Sequence, residues 1–179
     1  IYDAAAAGDS VGFVDGWVAG IGYGFQVYFD FSAYSDMAIG LGTMLGFTFP
    51  ENFRRPYSAV SITDFWRRWH ITLSNWLRDY VFIPLGGSRL GMVLNLRNLL
   101  ITFVVGGIWH GAGWTFVLWG ALHGLAMLAH RLWAELDKPM PYWLGWFLTF
   151  NFVNITWVFF RAPDLASAIA ILAAMFNPA

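Results

Sequence analysis

The sequence predicts an all-α integral membrane protein from its composition, the length of its apolar runs and the placement of its charges. Hydrophobic residues make up 58% of the chain and charged residues only 12%, against about 25% in soluble domains. Several apolar runs approach the roughly 20 residues that a helix needs to cross a bilayer. We expect residues 1–179 to form one membrane domain with helices of several kinds: spanning, re-entrant and amphipathic.

Composition also excludes several classes of function. The chain has no cysteine, which excludes disulfides, thiolate metal sites and a cysteine nucleophile. The net charge is −1 and there is no basic tail, so nothing predicts nucleic-acid binding. The chain starts with Ile and stops just after an apolar helical pattern, AAMFNPA. We therefore expect an internal fragment of a longer protein.

Two apolar segments open the chain, at residues 10–29 and 30–49. Glycine recurs every four residues in the first, which predicts a smooth helix face for close packing; these glycines are Gly12, Gly16, Gly20 and Gly24. Asp30, Ser32, Ser35 and Asp36 cluster where the second begins, and we expect a break near residues 29–35. Helix capping or an arginine partner explains Asp30 and Asp36 without a functional role.

Residues 51–98 form a basic segment that we place on the cytoplasmic side. Seven of the ten basic residues lie here, and cytoplasmic loops of membrane proteins are enriched in Lys and Arg. Within it, residues 61–87 predict one amphipathic helix at the membrane interface, with Ser61 and Asp64 at its start. Its apolar face recurs at spacings of three and four and consists of Phe65, Trp69, Leu73, Trp76 and Tyr80.

No charged residue occurs from 98 to 130, a run too long for one span and short for two. Glycines surround His110, so we expect a short helix, a bend near His110 and a full helix over about 113–132. A turn at Pro139–Pro141, a span over 142–160 and a further helix over 164–176 complete the prediction.

His110 is the strongest candidate for chemistry, because an ionisable group at membrane depth suggests a functional site. A neutral imidazole accepts a proton near pH 7, as a general base must. The flanking glycines would let backbone or a substrate approach closely. The alternative is that His110 is a hydrogen-bonded packing residue. His123 is predicted to be a structural hydrogen-bonding residue and His130 to be interfacial. No spacing typical of zinc ligands occurs, so we expect no metal.

Other catalytic signatures are absent from the sequence. There is no G-x-S-x-G elbow, phosphate loop or dinucleotide fingerprint. A covalent acyl-enzyme has no obvious carrier, whereas direct transfer assisted by a general base remains open. The interest of His70, on the amphipathic segment, depends on whether the fold brings it near His110.

Three long runs carry a resemblance to a known family. They are YFDFSAYSDMAIGLGTMLGF, PENFRRPYSAVSITDFWRRWHITLSNWLRDYVFIPLGG and GGIWHGAGWTFVLWGALHG. Together they resemble the membrane-bound O-acyltransferase (MBOAT) family, and within it the bacterial alginate O-acetylation branch, which is similar to the D-alanyl transfer protein of teichoic acid modification. The resemblance covers roughly residues 20–160.

The resemblance implies a multi-pass bacterial inner-membrane protein with a multi-helix fold and a central tunnel. An acyl thioester, acetyl-CoA or an acyl carrier protein, would enter from the cytoplasm as substrate, with no bound cofactor. The family's invariant histidine matches His110. A second histidine in the RRWHIT-type motif matches His70, where many relatives carry Asn or Asp. The implied partners are the lipid bilayer, periplasmic acetyltransferases and a polysaccharide export complex.

The function predicted from these observations is transfer of acetyl toward an exported polysaccharide such as alginate, with His110 as general base. One alternative is D-alanyl or other acyl transfer to a different cell-surface polymer. Two alternatives of other classes are a transporter with a buried-histidine proton relay and a non-catalytic scaffold of an export complex.

Overall fold

The computed structural model describes residues 1–178, and within that range the chain forms helices and no β-strand. The α-helices are α1 (Tyr2–Ala6), α2 (Phe13–Met44), α3 (Ile62–Trp66), α4 (Ile71–Leu77), α5 (Met92–His110), α6 (Trp114–Glu135), α7 (Tyr142–Arg161) and α8 (Leu165–Phe176). A 3₁₀ turn at Pro56–Ser58 and a π-helical turn at Arg78–Phe82 lie between them. The all-α prediction is confirmed.

In the described part of the chain, α5 and α7 are long and apolar enough to cross a membrane by length and composition. α5 has 19 residues and α7 has 20, which correspond to about 28–30 Å of helix. The predicted span over 142–160 therefore has a helix of suitable length. The broader expectation of a multi-pass topology remains a prediction.

α2 is a single continuous helix of 32 residues, so the predicted break near residues 29–35 is wrong. The segment contains neither glycine nor proline, and its polar side chains leave the helix intact. Ser32 Oγ donates to the Phe29 carbonyl one turn back, and Ser35 Oγ accepts from Asn52 Nδ2 at 3.4 Å. Serine hydroxyls on a helix can satisfy themselves locally without ending it.

Asp30 and Asp36 lie exposed on α2. Neither caps a helix, since both lie inside α2. Neither forms an ion pair with a residue in the range 1–178. The structural explanation predicted for these carboxylates, a cap or an arginine partner, is therefore wrong within the described chain.

The glycine stripe on α2 is a packing surface, as predicted. A β-carbon added at Gly16 would lie 2.9 Å from Met175 Cγ of α8, and one at Gly20 would lie 3.1 Å from the Asn154 carbonyl oxygen of α7. Without side chains at these positions, α2 packs directly on both helices.

α5 and α6 form a close antiparallel pair joined by the predicted bend. The bend occupies 111–113, immediately after His110. A β-carbon at Gly107 would meet the Phe116 carbonyl oxygen and lie 3.2 Å from Gly120 Cα, while one at Gly120 would meet the Phe103 carbonyl oxygen. The facing glycines therefore allow the two backbones to touch. α5 is longer than the short helix predicted, because it begins at Met92 rather than near residue 98.

The amphipathic segment is broken where one helix was predicted over 61–87. α3 ends at Trp66 and α4 begins after His70, which has a left-handed φ of 41°. Tertiary hydrogen bonds explain the break. The Asn52 carbonyl accepts from Ile71 N, and the Asn52 side chain accepts from both Thr72 N and Thr72 Oγ1, the latter at 2.7 Å. These bonds hold the chain in a turn that a continuous helix would not allow.

Local signals within the segment agree partly with the structure. Ser61 Oγ accepts from Asp64 N at 3.1 Å, and Asp64 Oδ2 accepts from Val60 N, so the predicted start is confirmed. The buried face repeats every four residues along Phe65, Trp69, Leu73 and Leu77. Trp76 and Tyr80, predicted on this face, are 49% and 68% exposed, because the buried face continues by a step of four from Leu73 to Leu77 rather than by a step of three to Trp76.

α7 and α8 match the predicted helices closely. Asp164 caps α8, and its carboxylate accepts from the backbone N–H and the hydroxyl of Ser167 at 2.8 and 3.0 Å. Since both bonds favour the charged carboxylate, they lower the pKa of Asp164. Together α2, α7 and α8 enclose one apolar core, and α3, α6 and α7 enclose a second, aromatic core.

Candidate functional site

His110 is the last residue of α5 and is surrounded by aromatic rings. Its ring centroid lies 4.9 Å from those of Trp109 and Phe160 and 5.3 Å from that of Trp119. No residue in the described range hydrogen-bonds to either ring nitrogen of His110. The imidazole is therefore held by packing and keeps both nitrogens free.

The fold brings His70 to the same place. The Trp109 ring contacts both imidazoles, and its centroid lies 4.9 Å from that of His110 and 6.3 Å from that of His70. His70 occupies the left-handed region of φ/ψ space, which is uncommon for a residue other than glycine and clusters at functional sites. The two histidines that sequence reasoning singled out are therefore neighbours, although 40 residues separate them.

The surroundings of His70 favour the neutral imidazole. Burial lowers the pKa of its imidazole to about 4, and the nearby His110 ring contributes in the same direction. His70 Nδ1 is buried and has no hydrogen-bond partner in residues 1–178. A pocket of about 370 Å³ adjoins His70 and is lined also by Thr72, Leu73, Trp76 and Trp109.

A cavity of about 360 Å³ leads along α5 to His110. On α5 it is lined at helical spacing by Leu99, Thr102, Phe103, Gly106 and His110. The helix rises about 16 Å over the eleven steps from Leu99 to His110, so the cavity is long. The facing wall consists of Trp66, Leu73, Ser74, Leu77, Trp119 and Met127, which makes the passage largely apolar.

Two arginines lie at the end of the cavity away from His110. Arg78 lines the cavity and also a surface pocket formed by the loop 82–90. That loop is fixed to the start of α5, because Asn98 Nδ2 donates to the Leu85 and Gly87 carbonyls at 3.1 Å. Arg67 also lines the cavity and is exposed. Arg78 is paired with Asp79 at 2.7 Å, so Arg67, which has no ion-pair partner in residues 1–178, supplies the free positive charge at this end of the passage, and His110 lies at the other end.

The four glycines around His110 have three different roles. Of the four, Gly106 lines the cavity, where a β-carbon would lie 3.1 Å from Leu77 Cδ1. Gly107 serves helix packing, and Gly111 and Gly113 form the bend. The expected close approach of backbone is confirmed at Gly107, whereas for a substrate only Gly106, of these four glycines, lies on the cavity.

His123 is fully buried at the centre of a hydrogen-bond chain, which confirms its predicted structural role. Trp66 Nε1 donates to His123 Nδ1 at 3.2 Å, and His123 Nε2 lies 2.9 Å from Thr156 Oγ1. An indole N–H can only donate, so Nδ1 is unprotonated and Nε2 carries the hydrogen. Thr156 then donates to the Val153 carbonyl at 2.8 Å. The chain fixes the Trp66 ring in the cavity wall.

Removing the end of this chain should destabilise the protein. Thr156→Val leaves the His123 Nε2–H buried without an acceptor, which costs about 1–3 kcal/mol. We expect a lower thermal midpoint for the detergent-solubilised protein. Thr149→Val is the matched control, because Thr149 is buried on the same helix and its side chain forms no hydrogen bond in the described range. Equal thermal midpoints for the two variants would contradict the role of the hydrogen-bond chain through His123.

Sequence reasoning missed the residues of the cavity wall. Trp66 and Trp119 read as ordinary apolar helix positions, and only the fold shows that both face the passage. Arg67 and Arg78 lie outside the apolar face predicted for this segment, and their proximity to a cavity had no sequence signal. Within residues 1–178 no three His, Asp or Glu side chains converge in a way that would hold a metal.

Comparison with known proteins agrees with the geometry. Residues 11–167 match the profile of MBOAT, the membrane-bound O-acyltransferase family. A peptidoglycan O-acetyltransferase from Helicobacter pylori is 51% identical over 170 residues, which are 93% of this chain and 32% of that protein. A probable alginate O-acetylase, AlgI, from Pseudomonas aeruginosa is 51% identical over 166 residues, 91% of this chain and 32% of the relative.

A more distant relative is the teichoic acid D-alanyltransferase of Bacillus subtilis, 31% identical over 147 residues, which cover 74% of this chain and 37% of the relative. The fold and these matches define an all-helical membrane protein of an acyltransferase class. The chain belongs to the membrane-bound O-acyltransferase family. It spans about a third of the length of the curated relatives it matches.

Proposed function

We propose that this chain carries the transfer site of a membrane O-acyltransferase, which moves acetyl from a cytoplasmic thioester toward a hydroxyl of a cell-envelope polysaccharide. The cavity that joins Arg67 and Arg78 to His110 carries the proposal. A thioester donor such as acetyl-CoA or an acyl carrier protein has an anionic phosphate end and a thin, flexible pantetheine arm. The cationic mouth fits the phosphate, and the long passage fits the arm.

In the proposed reaction His110 is the general base. A free ring nitrogen of His110 takes the proton of the acceptor hydroxyl as that oxygen attacks the thioester carbonyl carbon. The new C–O bond forms, the C–S bond breaks, and the imidazolium returns the proton to the leaving thiolate. His70 shares the Trp109 ring as a neighbour with His110, and its ring would orient the donor or stabilise developing charge.

The names of the relatives support an acetyl donor and a polysaccharide acceptor. Those that are about half identical are named for O-acetylation of peptidoglycan or alginate, whereas the D-alanyltransferase is 31% identical. We therefore favour acetyl transfer to an exported polysaccharide such as alginate over D-alanyl transfer. An inner-membrane location, a cytoplasmic mouth of the cavity at Arg67 and Arg78, and periplasmic acetyltransferase partners belong to the same proposal.

Membrane vesicles with the cytoplasmic face outward test the proposal. Vesicles containing the full-length protein should incorporate label from acetyl-CoA or an acetylated carrier protein into ester-linked acetyl on polysaccharide. Arg67→Gln should raise the donor concentration needed for half-maximal transfer, because the cavity loses a cation. Arg54→Gln is the matched control, since Arg54 pairs with Glu51 at 2.7 Å and lies outside the cavity.

Each other outcome points to a named alternative. Label incorporated only from a D-alanyl carrier would replace acetyl by D-alanyl. Proton or solute flux without any donor, and no ester formed, would support the transporter and overturn the proposal. Transfer that is equally sensitive to Arg67→Gln and Arg54→Gln would remove the assignment of the cavity mouth.

A further inference from the structure

The Trp119 side chain has a buried N–H group that no described residue satisfies. Trp119 is 2% exposed, and its Nε1 has no hydrogen-bond partner within residues 1–178. An indole nitrogen is a donor only, and a buried donor without an acceptor is rare in folded proteins. The missing acceptor therefore requires an explanation.

The rings around Trp119 do not supply that acceptor. Trp66 and Trp157 carry donor N–H groups, and these donate to His123 Nδ1 and to Tyr57 Oη. His123 uses both nitrogens in its own chain. His110, 5.3 Å away between ring centroids, keeps free nitrogens but forms no hydrogen bond with Trp119. The protein thus holds a donor beside its candidate base and leaves that donor open.

Trp119 also lines the cavity that ends at His110. We propose that the indole N–H of Trp119 donates a hydrogen bond to the carbonyl oxygen of the thioester in this cavity. The inference rests on the proposed function and deepens it, since it names a second group that acts on the reacting atoms. A carbonyl oxygen on a thin chain is an acceptor that a narrow, mostly apolar passage can admit.

The N–H would act as the electrostatic partner of the base. When the acceptor oxygen attacks, the carbonyl π electrons move to oxygen, and a fixed N–H donor stabilises the developing negative charge. Collapse of that intermediate restores the C=O bond and expels the thiolate. His110 accepts and returns the proton, and Trp119 stabilises the oxyanion, so neither residue can replace the other.

Trp119→Phe in the full-length protein tests this role. The variant keeps an aromatic ring and removes the N–H, and loss of one oxyanion donor typically lowers kcat about 10²-fold. We expect that loss in kcat with little change in the donor KM. Trp157→Phe is the matched control, because Trp157 is equally buried, its N–H already has Tyr57 as acceptor, and it does not line the cavity.

A measurement on the wild-type protein keeps the test independent of folding of the variant. The vibrational frequency of the carbonyl stretch is measured for a ¹³C-labelled acetyl thioester bound to the wild-type protein or to His110→Ala. We expect this frequency to lie below its value in an apolar solvent. In Trp119→Phe the frequency should return toward the apolar-solvent value. An unshifted carbonyl in the wild-type protein, or an unchanged kcat in Trp119→Phe, would overturn the role of Trp119. If His110→Ala also kept full activity, the proposed function itself would fail.

Discussion

Replacing His110 by alanine is expected to lower acyl transfer by at least about 10²-fold, because general-base catalysis typically contributes about 10²–10⁴-fold. The imidazole is held by Trp109, Trp119 and Phe160 without a hydrogen bond. Its removal therefore leaves no buried polar partner unsatisfied. Ester-linked acetyl on the exported polysaccharide is the readout, in cells whose own copy of the gene is deleted, with membrane abundance checked by blot.

The control for His110→Ala is His130→Gln. His130 lies on the same helix pair but outside the cavity, where it hydrogen-bonds with Thr63 Oγ1 at 2.9 Å. We expect near wild-type acetylation from this variant. Full acetylation from His110→Ala at normal abundance would remove the base role and reopen the scaffold and transporter alternatives.

Gly107→Ala is expected to destabilise the protein by about 1–3 kcal/mol, the usual range for overpacking. The added methyl group would meet the Phe116 backbone carbonyl and the Gly120 Cα. Neither atom can rotate aside as a side chain would, so α5 and α6 must separate. We expect a lower thermal midpoint in detergent, and weaker transfer because His110 ends the displaced helix.

Gly22→Ala on α2 is the matched control and should have the opposite sign. No atom outside the local helix backbone lies within 4 Å of a β-carbon at Gly22. A Gly→Ala substitution in a helix that causes no steric clash stabilises the folded protein by about 0.4–1 kcal/mol. If Gly107→Ala also raised the midpoint, the close contact between α5 and α6 would be wrong.

Features that depend on local sequence were predictable. The bend after His110, the glycine face of α2 and the cap formed by Ser61 each follow from residue types at fixed spacing, and the structure contains all three. The helix break at His70 was not predictable, because Asn52, far along the chain, supplies the competing hydrogen bonds. Helical periodicity contains no information about such a partner.

The candidate site shows the same division. His110 and His70 were identified from their chemistry and from the family motifs, but their meeting at Trp109 required the fold. Trp119 could not be distinguished from other aromatic residues in a sequence with 11 tryptophans. What distinguishes it is a missing hydrogen-bond acceptor, which is a property of three-dimensional packing.

The hydrogen-bond chain through His123 also bears on proton conduction. A proton passes along such a chain only if each member can accept a hydrogen, release another and later reset. The Trp66 indole at one end cannot accept, and the Val153 carbonyl at the other has no hydrogen to release. Neither end of this hydrogen-bond chain can therefore exchange a proton. A transporter that relayed protons through His123 would have no path for them along Trp66, His123, Thr156 and Val153.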